Sequence, residues 1–172
     1  MTLSAFIEST NNSNQVIENS GAFAVIKADG SVVAWGKPDY GGDSHPVSNM
    51  LDGKMNVIKI FSAQHSFAAL RTDGSVVIWG SDFSGNPINR IVSEWDTRID
   101  IIQIYSNNVA FAALRKDGSV LTWGEAREDD TSYAVSAKID GTVDVKELCL
   151  TDRAFAALRI DGSVITLSLI HI

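Results

Sequence analysis

Residues 66–80 read SFAALRTDGSVVIWG, and this stretch decides the fold because the chain contains it four times. Close copies occupy residues 22–36, 110–124 and 154–168, each displaced by 44 residues without an insertion. Self-similarity at a fixed spacing of this size indicates a repeat architecture. We therefore expect the repeated residues to have structural roles rather than roles in binding or catalysis.

Each unit contains several short runs of strand-forming residues. In the second unit, Asp73-Gly74 separates two runs rich in β-branched and aromatic side chains, residues 66–71 and 75–79. The pair predicts a tight hairpin turn centred on both residues, each with positive φ. Residues 57–61 predict a preceding strand, and a weaker apolar pattern further on predicts a fourth one. Each 44-residue unit is thus predicted to form about four antiparallel strands.

The Asp-Gly pair and the tryptophan that closes the hairpin recur at the same places in the units. Such recurrence indicates a structural role, because a catalytic site would need only one copy of its residues. We therefore predict structural roles for a set of eleven residues. They are Trp35, Trp79, Trp123, Asp29, Gly30, Asp73, Gly74, Asp117, Gly118, Asp161 and Gly162.

Both faces of each predicted sheet are apolar. Successive side chains of a strand point to opposite faces, so Val77 and Trp79 lie on one face, and Val76 and Ile78 on the other. A lone unit would leave one face in water, and stacking the units removes that exposure. Short strands repeating at this spacing are typical of propeller blades. We predict an all-β, β-propeller-type repeat array of about four blades, with a β-solenoid as the alternative.

The register of the repeat divides the chain. Residues 1–12 match the end of a truncated preceding repeat, because residues 3–4 align with residues 47–48 one unit later. Residues 13–166 hold three full units and part of a fourth. Residues 167–172 replace the expected Trp-Gly with an aberrant apolar tail, which we interpret as a terminal cap or a sequence artefact. An incomplete, fragmentary array with open blade edges favours self-association.

The composition excludes several classes of protein. Of the 172 residues, 45% are hydrophobic and 20% charged, which supports a folded core and argues against disorder. The net charge of −7 disfavours binding to nucleic acids and to anionic membranes. No run approaches the roughly 18 apolar residues of a membrane span, and residues 1–7 do not form a secretory signal. We expect neither nucleic acid nor a membrane as a partner.

The sequence contains no residue pattern with the spacing of a catalytic or metal site. The histidines occupy unrelated places in the repeat, and the acidic run 125–130 lacks the alternating ligands and the glycine of a calcium loop. The single cysteine, Cys149, occupies a slot, meaning a position of the 44-residue repeat, that holds apolar residues in the other units. This predicts that Cys149 is buried as a small hydrophobic side chain. We predict no catalytic residue, no metal and no cofactor.

The repeated phrase F-A-x-[LI]-[RK]-x-D-G-S-V-x-x-W-G resembles the repeat of the regulator-of-chromosome-condensation family. Within residues 69–80, the Ala-Leu pair, the Asp-Gly turn, the valine and the closing Trp-Gly match that repeat in order and spacing. The resemblance extends from Leu3 to Thr166. It implies a propeller, which is seven-bladed in familiar members.

The region after Trp-Gly departs from familiar eukaryotic members, which carry an Asn and a Gly-Gln-Leu-Gly element there. Here residues 40–43 read YGGD, residues 83–85 read FSG, and residues 125–131 contain no glycine. The resemblance therefore does not imply the guanine-nucleotide exchange activity of the founding protein. The short unit looks more like bacterial relatives, including a propeller-type inhibitor of β-lactamases and repeats of large surface proteins. That similarity implies protein binding and an extracellular or cell-surface location.

Partner-binding residues are expected where the units differ. Tyr40, Asp43 and Phe83 lie in corresponding loops, and aromatic loop residues often anchor interfaces. Arg71 and Arg115 belong to a basic series two residues before each turn aspartate. They either bind an acidic partner or pair with acidic neighbours in their own sheet. We predict these five residues as contacts to a protein partner.

The sequence favours a non-enzymatic protein–protein interaction module that binds through variable loops, residues 37–50, 81–94 and 125–137. An enzyme should place a non-repeated cluster of ionisable residues at the central channel. The repeat residues expected to approach the axis, such as residues 67–70, are small or apolar instead. A propeller lyase or hydrolase, and a structural spacer within a larger bacterial surface protein, are the alternatives.

Overall fold

The chain folds into successive antiparallel sheets, one for each repeat unit. The computed structural model describes residues 15–82, 85–91, 100–124, 145–152 and 154–168. The strands, in chain order, are β1 (Val16–Glu18), β2 (Ala22–Ile26), β3 (Val32–Gly36), β4 (Val57–Ser62), β5 (Ser66–Arg71), β6 (Val76–Gly80), β7 (Arg90–Ile91), β8 (Ile101–Ser106), β9 (Ala110–Arg115), β10 (Val120–Gly124), β11 (Val145–Leu150), β12 (Ala154–Arg159) and β13 (Val164–Ser168).

The predicted all-β architecture is confirmed, and the number of strands differs between units. Unit 2 pairs its strands in the order β4-β5-β6-β7, whereas the sheets of the other units have three strands each in the described residues. In unit 1 the predicted place of the fourth strand holds a 3-10 helix, His45–Met50. Pro46 lies in the first turn of this helix, where its fixed φ suits the helical backbone. Residues 1–12 and most of the tail 167–172 lie outside the described residues.

The hairpin turn of each unit is one residue longer than predicted. In unit 2 the N–H of Gly74 donates to the carbonyl of Arg71 (3.0 Å), and the N–H of Arg71 donates to the carbonyl of Ser75 (2.9 Å). Thr72 and Asp73 are therefore the central residues, and Gly74 follows them with φ of +83°. The prediction of a turn centred on Asp-Gly is wrong, because this three-residue loop requires the left-handed conformation at the glycine.

The carboxylate of the turn aspartate also binds the serine that follows each Asp-Gly pair, and this contact explains why the serine recurs. Oδ1 of Asp73 accepts hydrogen bonds from the N–H (2.9 Å) and the hydroxyl (2.5 Å) of Ser75. The same two bonds recur at Asp29, Asp117 and Asp161. The Asp-Gly-Ser sequence thus closes each hairpin by side-chain as well as backbone bonds.

Neighbouring units pack through unlike faces. What we call the large face of unit 2 is buried against unit 1. It consists of Ile60, Phe67, Ala69, Val77 and Trp79.

The opposite face of the same sheet, which we call the small face, consists of Ala68, Leu70, Val76 and Ile78. It is buried against the large face of unit 3, which includes Phe111 and Trp123. The large face of unit 4, with Phe155, in turn meets unit 3. Every internal junction therefore repeats one arrangement, a small face under the large face of the following unit.

The first strand of each unit lies on the inner side of the array, where β4 contacts both β1 and β8. Residues 66–71 form β5, which is separated from that inner side by β4. The prediction that residues 67–70 approach the axis is therefore wrong. At that side the first strands of adjoining units contact one another directly, β1 with β4 and β4 with β8.

The prediction that Cys149 is buried is also wrong. Phe61 and Tyr105 occupy its slot in units 2 and 3, and each packs against the core of the following junction. Cys149 belongs to unit 4, and its thiol is exposed because no described unit follows. Burial in this slot depends on the neighbouring unit and not on the residue itself.

Replacing Trp79 with alanine should destabilise the array by about 3–5 kcal/mol, because the indole is fully buried between two units. Urea unfolding followed by circular dichroism measures this loss. Ile160→Ala is the control, since Ile160 is an exposed turn residue whose truncation should change stability by less than about 0.5 kcal/mol. Similar losses in the two variants would contradict the assignment of Trp79 to the junction.

Acid should destabilise the array through the turn aspartates. Hydrogen bonds from the hydroxyl and then the N–H of Ser163 lower the pKa of Asp161, and Ser31 lowers the pKa of Asp29 in the same way. A carboxyl with a lowered pKa in the folded state stabilises the fold above its unfolded pKa of 3.8, and this contribution is lost as the pH falls through the folded pKa.

We therefore expect Tm to decrease as the pH is lowered below about 4. The decrease should be smaller in the double variant Asp29→Asn/Asp161→Asn, because asparagine accepts the same hydrogen bonds without titrating. Thermal melts across this range measure both effects. Identical acid profiles for the variant and the parent chain would show that these carboxylates do not contribute.

Candidate functional site

Non-repeated aromatic and charged residues meet at the edge of the array opposite the Asp-Gly turns. There the loop after β3 passes from unit 1 to unit 2. The rings of Tyr40 and His65 are in edge-on contact, with centroids 4.6 Å apart, and Nζ of Lys37 lies 5.2 Å from the centre of the Tyr40 ring. We call Lys37, Tyr40 and His65 the junction cluster. Cation–π and edge-on aromatic contacts give it a defined shape.

The loop that carries the junction cluster is attached to unit 2. A short 3-10 helix, Pro38–Tyr40, ends at Gly41, whose φ is +84°. The indole N–H of Trp79 donates to the carbonyl of Gly41 (3.0 Å), and this bond is buried. In unit 3 the indole N–H of Trp123 finds no acceptor within the described part of the chain. The scaffold tryptophan of unit 2 thus also positions the loop that carries Tyr40.

An asparagine fixes the other side of the same loop. Oδ1 of Asn19 accepts hydrogen bonds from the N–H groups of Gly21 (3.0 Å) and Ala22 (2.8 Å), and its Nδ2 donates to the carbonyl of Tyr40 (2.7 Å). Asn107, in the same slot of unit 3, makes the equivalent backbone bonds. The sequence analysis missed these clamps, although the recurrence of asparagine 88 residues later is a usable signal.

The structure places Tyr40 and Asp43 on one loop. Tyr40 is half-buried, whereas Asp43 is exposed, and its Oδ1 accepts a hydrogen bond from the N–H of His45 (2.9 Å) at the start of the second 3-10 helix. Phe83 lies outside the described residues. His65 was not predicted as part of a site, and it joins Tyr40 only because the two units pack together.

The structure does not bring Arg71 and Arg115 to the junction cluster. Both lie at the Asp-Gly turns, on the opposite edge. Nε of Arg71 donates to the hydroxyl of Ser75 (2.6 Å). The guanidinium of Arg115 is buried, and one of its nitrogens lies 3.7 Å from Asp100. These are contacts within the scaffold, so a partner at the surface would not reach Arg115.

Ionisable groups on the inner strands do not form an activated site in the described residues. Burial, and to a lesser extent the negative charge of Glu147, raise the pKa of Tyr105. The phenol therefore stays protonated at neutral pH and is not available as a base. Over the described ranges, no group of three or more His, Cys, Asp or Glu side chains is placed to hold a metal ion. In the same residues, no helix has the length and apolar character needed to cross a membrane.

The sequence matches no known family model and no curated protein sequence. Solved structures, however, share its fold. Human WBSCR16 is 18% identical with a TM-score of 0.56, and the match covers 90% of this chain and 48% of that one. Prp20p of Saccharomyces cerevisiae is 14% identical with a TM-score of 0.60, over 90% of this chain and 44% of that one. The ectodomain of the Arabidopsis thaliana receptor kinase ACR4 is 14% identical with a TM-score of 0.55, over 89% and 54% respectively.

These similarities define the class of fold. The chain is a β-propeller-type repeat array of the kind found in the RCC1-like proteins, and the predicted propeller is confirmed over the solenoid. The chain spans about half the length of the proteins it matches. At this level of identity the similarity concerns the fold alone.

Alanine at Gly41 should destabilise the protein more than alanine at Gly85, its counterpart in unit 2. Both glycines have φ of +84°, so both substitutions cost about 1–2 kcal/mol in backbone strain. A Cβ at Gly41 would also lie 2.8 Å from a ring carbon of Phe67, whereas one at Gly85 has no neighbour within 4 Å among the described residues.

Urea unfolding of the two variants measures the difference, for which we expect at least about 1 kcal/mol, since overpacking typically costs 1–3 kcal/mol. Equal losses would show that the loop does not pack on unit 2.

Proposed function

We propose that this chain is a non-enzymatic protein-interaction module that binds its partner at the junction cluster and the adjoining loop. One observation carries the proposal. The residues common to all units are engaged in turns, junctions and buried bonds, while the non-repeated Lys37, Tyr40 and Asp43 lie together on a loop that the scaffold holds in place. Pre-positioned loop residues lose little conformational entropy on binding, which favours recognition.

The proteins that share the fold support a protein partner. Prp20p is described with its binding to Gsp1p and histones, and yeast RCC1 (Prp20) was solved with Kap60 bound to it. We extend from them only the type of function, which is the binding of another protein. The repeat resembles that of the regulator-of-chromosome-condensation family, and the bacterial type and cell-surface location implied by that resemblance are part of the proposal.

The non-enzymatic part of the proposal rests on the inner strands. A propeller enzyme should gather non-repeated ionisable residues there. The described first strands carry Lys59, Gln103 and Glu147 in one slot, and Lys59 lies over the ring of Phe61 (5.0 Å) while Gln103 donates to a backbone carbonyl. These are separate local contacts, without the shared proton or nucleophile that catalysis requires.

Partner binding can be tested with three single charge reversals. Lys37→Glu and Asp43→Lys change the proposed surface, and Lys54→Glu is the matched control, since Lys54 is exposed on the turn edge and pairs with Asp52 (2.7 Å). Each immobilised chain is exposed to an extract of the source cells, and the retained proteins are quantified by mass spectrometry. We expect at least one protein to bind the parent and Lys54→Glu chains equally and to decrease about tenfold with the other two, a loss of about 1.4 kcal/mol.

Retention of the same proteins by all the chains would contradict the location of the site. No specific retention by the parent chain would favour the structural spacer. Because the three substituted residues are at the surface, melting temperatures close to that of the parent chain serve as the check on folding.

A further inference from the structure

A buried serine of unit 2 holds the loop that carries the junction cluster. Ser81 directly follows β6, and its hydroxyl donates a hydrogen bond to the carbonyl of Asp39, in the 3-10 helix of unit 1. Two residues earlier, the indole N–H of Trp79 donates to the carbonyl of Gly41 (3.0 Å). Unit 2 therefore binds the loop of unit 1 at two places.

The carbonyl groups of this loop are fully used within the chain. Between the two carbonyls that unit 2 binds, the carbonyl of Tyr40 accepts a bond from Asn19 of unit 1 (2.7 Å). The carbonyls of Lys37 and Pro38 accept bonds from N–H groups further along the loop (2.9 Å). Every carbonyl of residues 37–41 is thus bonded, so a partner meets the side chains of this loop and not free carbonyl groups.

The other two variable loops lack these three donors at the corresponding positions of the sequence. One repeat later, the slots of Asn19 and Ser81 hold Ala63 and Glu125. Neither of these side chains donates a hydrogen bond at neutral pH. For the loop after β10, the three donor slots hold an asparagine and two leucines. The sequence therefore supplies the complete set of donors only to the loop with the junction cluster.

We propose that Ser81 is a positioning residue of the candidate site, because its hydroxyl holds the loop of unit 1 in the conformation that presents the junction cluster. The inference rests on the proposed function and adds that the site forms only where units 1 and 2 are stacked.

Ser81 is placed to join the two halves of the cluster. Its hydroxyl binds the loop that carries Tyr40, and its N–H donates to the carbonyl of His65 (3.1 Å). Alanine at this position keeps the backbone bond to His65 and removes only the bond to Asp39. The substitution therefore separates the placement of the loop from the folding of unit 2.

Hydrogen exchange measured by NMR tests this role on the parent chain and on Ser81→Ala. The N–H groups of Tyr40, Gly41 and Gly42 are bonded within the loop, so their protection reports whether the loop opens. We expect this protection to fall about fivefold in Ser81→Ala, as the loss of one hydrogen bond predicts. The nuclear Overhauser effect between the Tyr40 and His65 rings should weaken. Ser81→Thr keeps the hydroxyl and should restore both signals.

Ser75→Ala is the matched control. Ser75 is a buried serine of the same unit at the opposite edge, where its hydroxyl donates to Asp73 (2.5 Å). Its truncation also removes a buried hydroxyl and its hydrogen bond, so it should lower Tm. The exchange of the loop and the contact between the two rings should nevertheless match those of the parent chain.

The retention of proteins from a cell extract then connects the loop to binding. We expect a protein that the parent and Ser75→Ala chains retain equally to decrease about fivefold with Ser81→Ala, since the same hydrogen bond is lost. Its retention should return with Ser81→Thr. A role of Ser81 in stability alone would not produce this pattern.

Three results would overturn the proposal. The first is unchanged exchange and ring contact in Ser81→Ala, and the second is equal opening of the loop in Ser75→Ala. The third is a loosened loop with undiminished retention. An effect of Lys37→Glu and Asp43→Lys without one of Ser81→Ala removes the positioning role alone, whereas retention that is insensitive to all of these changes refutes the proposed function itself.

Discussion

The contact between the large face of one sheet and the small face of the preceding one supports the rest of this structure. Each sheet is apolar on both sides, so a unit has no face that it can leave in water without losing hydrophobic stabilisation. Trp79 shows how much depends on the contact. Its ring fills the junction, and its N–H, which would be costly to bury unpaired, donates to the carbonyl of Gly41. The same residue thereby stacks two sheets and anchors the loop between them.

This constraint separates the scaffold from the candidate site. Residues that recur in the units make the contacts that maintain the fold. The turn aspartates, for example, accept hydrogen bonds from the serines two residues after them. Arg115 of the basic series is engaged in the same way, since its guanidinium is buried beside Asp100 at a turn. In our proposal, partner recognition falls to residues that occur once, and the loop with Tyr40 lies at a unit boundary where such residues from two units meet. A repeat array can thus vary its surface without altering its junctions.

The candidate site was only partly predictable. Tyr40 and Asp43 were predicted as partner contacts because they stand in a loop that differs between units, a comparison that needs nothing beyond the sequence. The contact of Tyr40 with His65 could not be found in that way, because it joins two units and depends on how far the loop reaches across the junction. Cys149 was misplaced for a related reason, since its slot is buried only when another unit follows.

The sequence by itself determined the all-β class, the length of the unit, the hairpin in each unit and the apolar character of both sheet faces. These properties are local, and each is repeated often enough to stand out from variation. Tertiary structure decided which strand lies on the inner side and which tryptophans are covered. Trp35 and Trp79 follow the closely similar stretches DGSVVA and DGSVVI, yet Trp35 is 43% exposed and Trp79 is fully buried. The difference arises because a tryptophan of the large face is buried only where a neighbouring unit packs on it. The sequence of a single unit describes one side of that contact only.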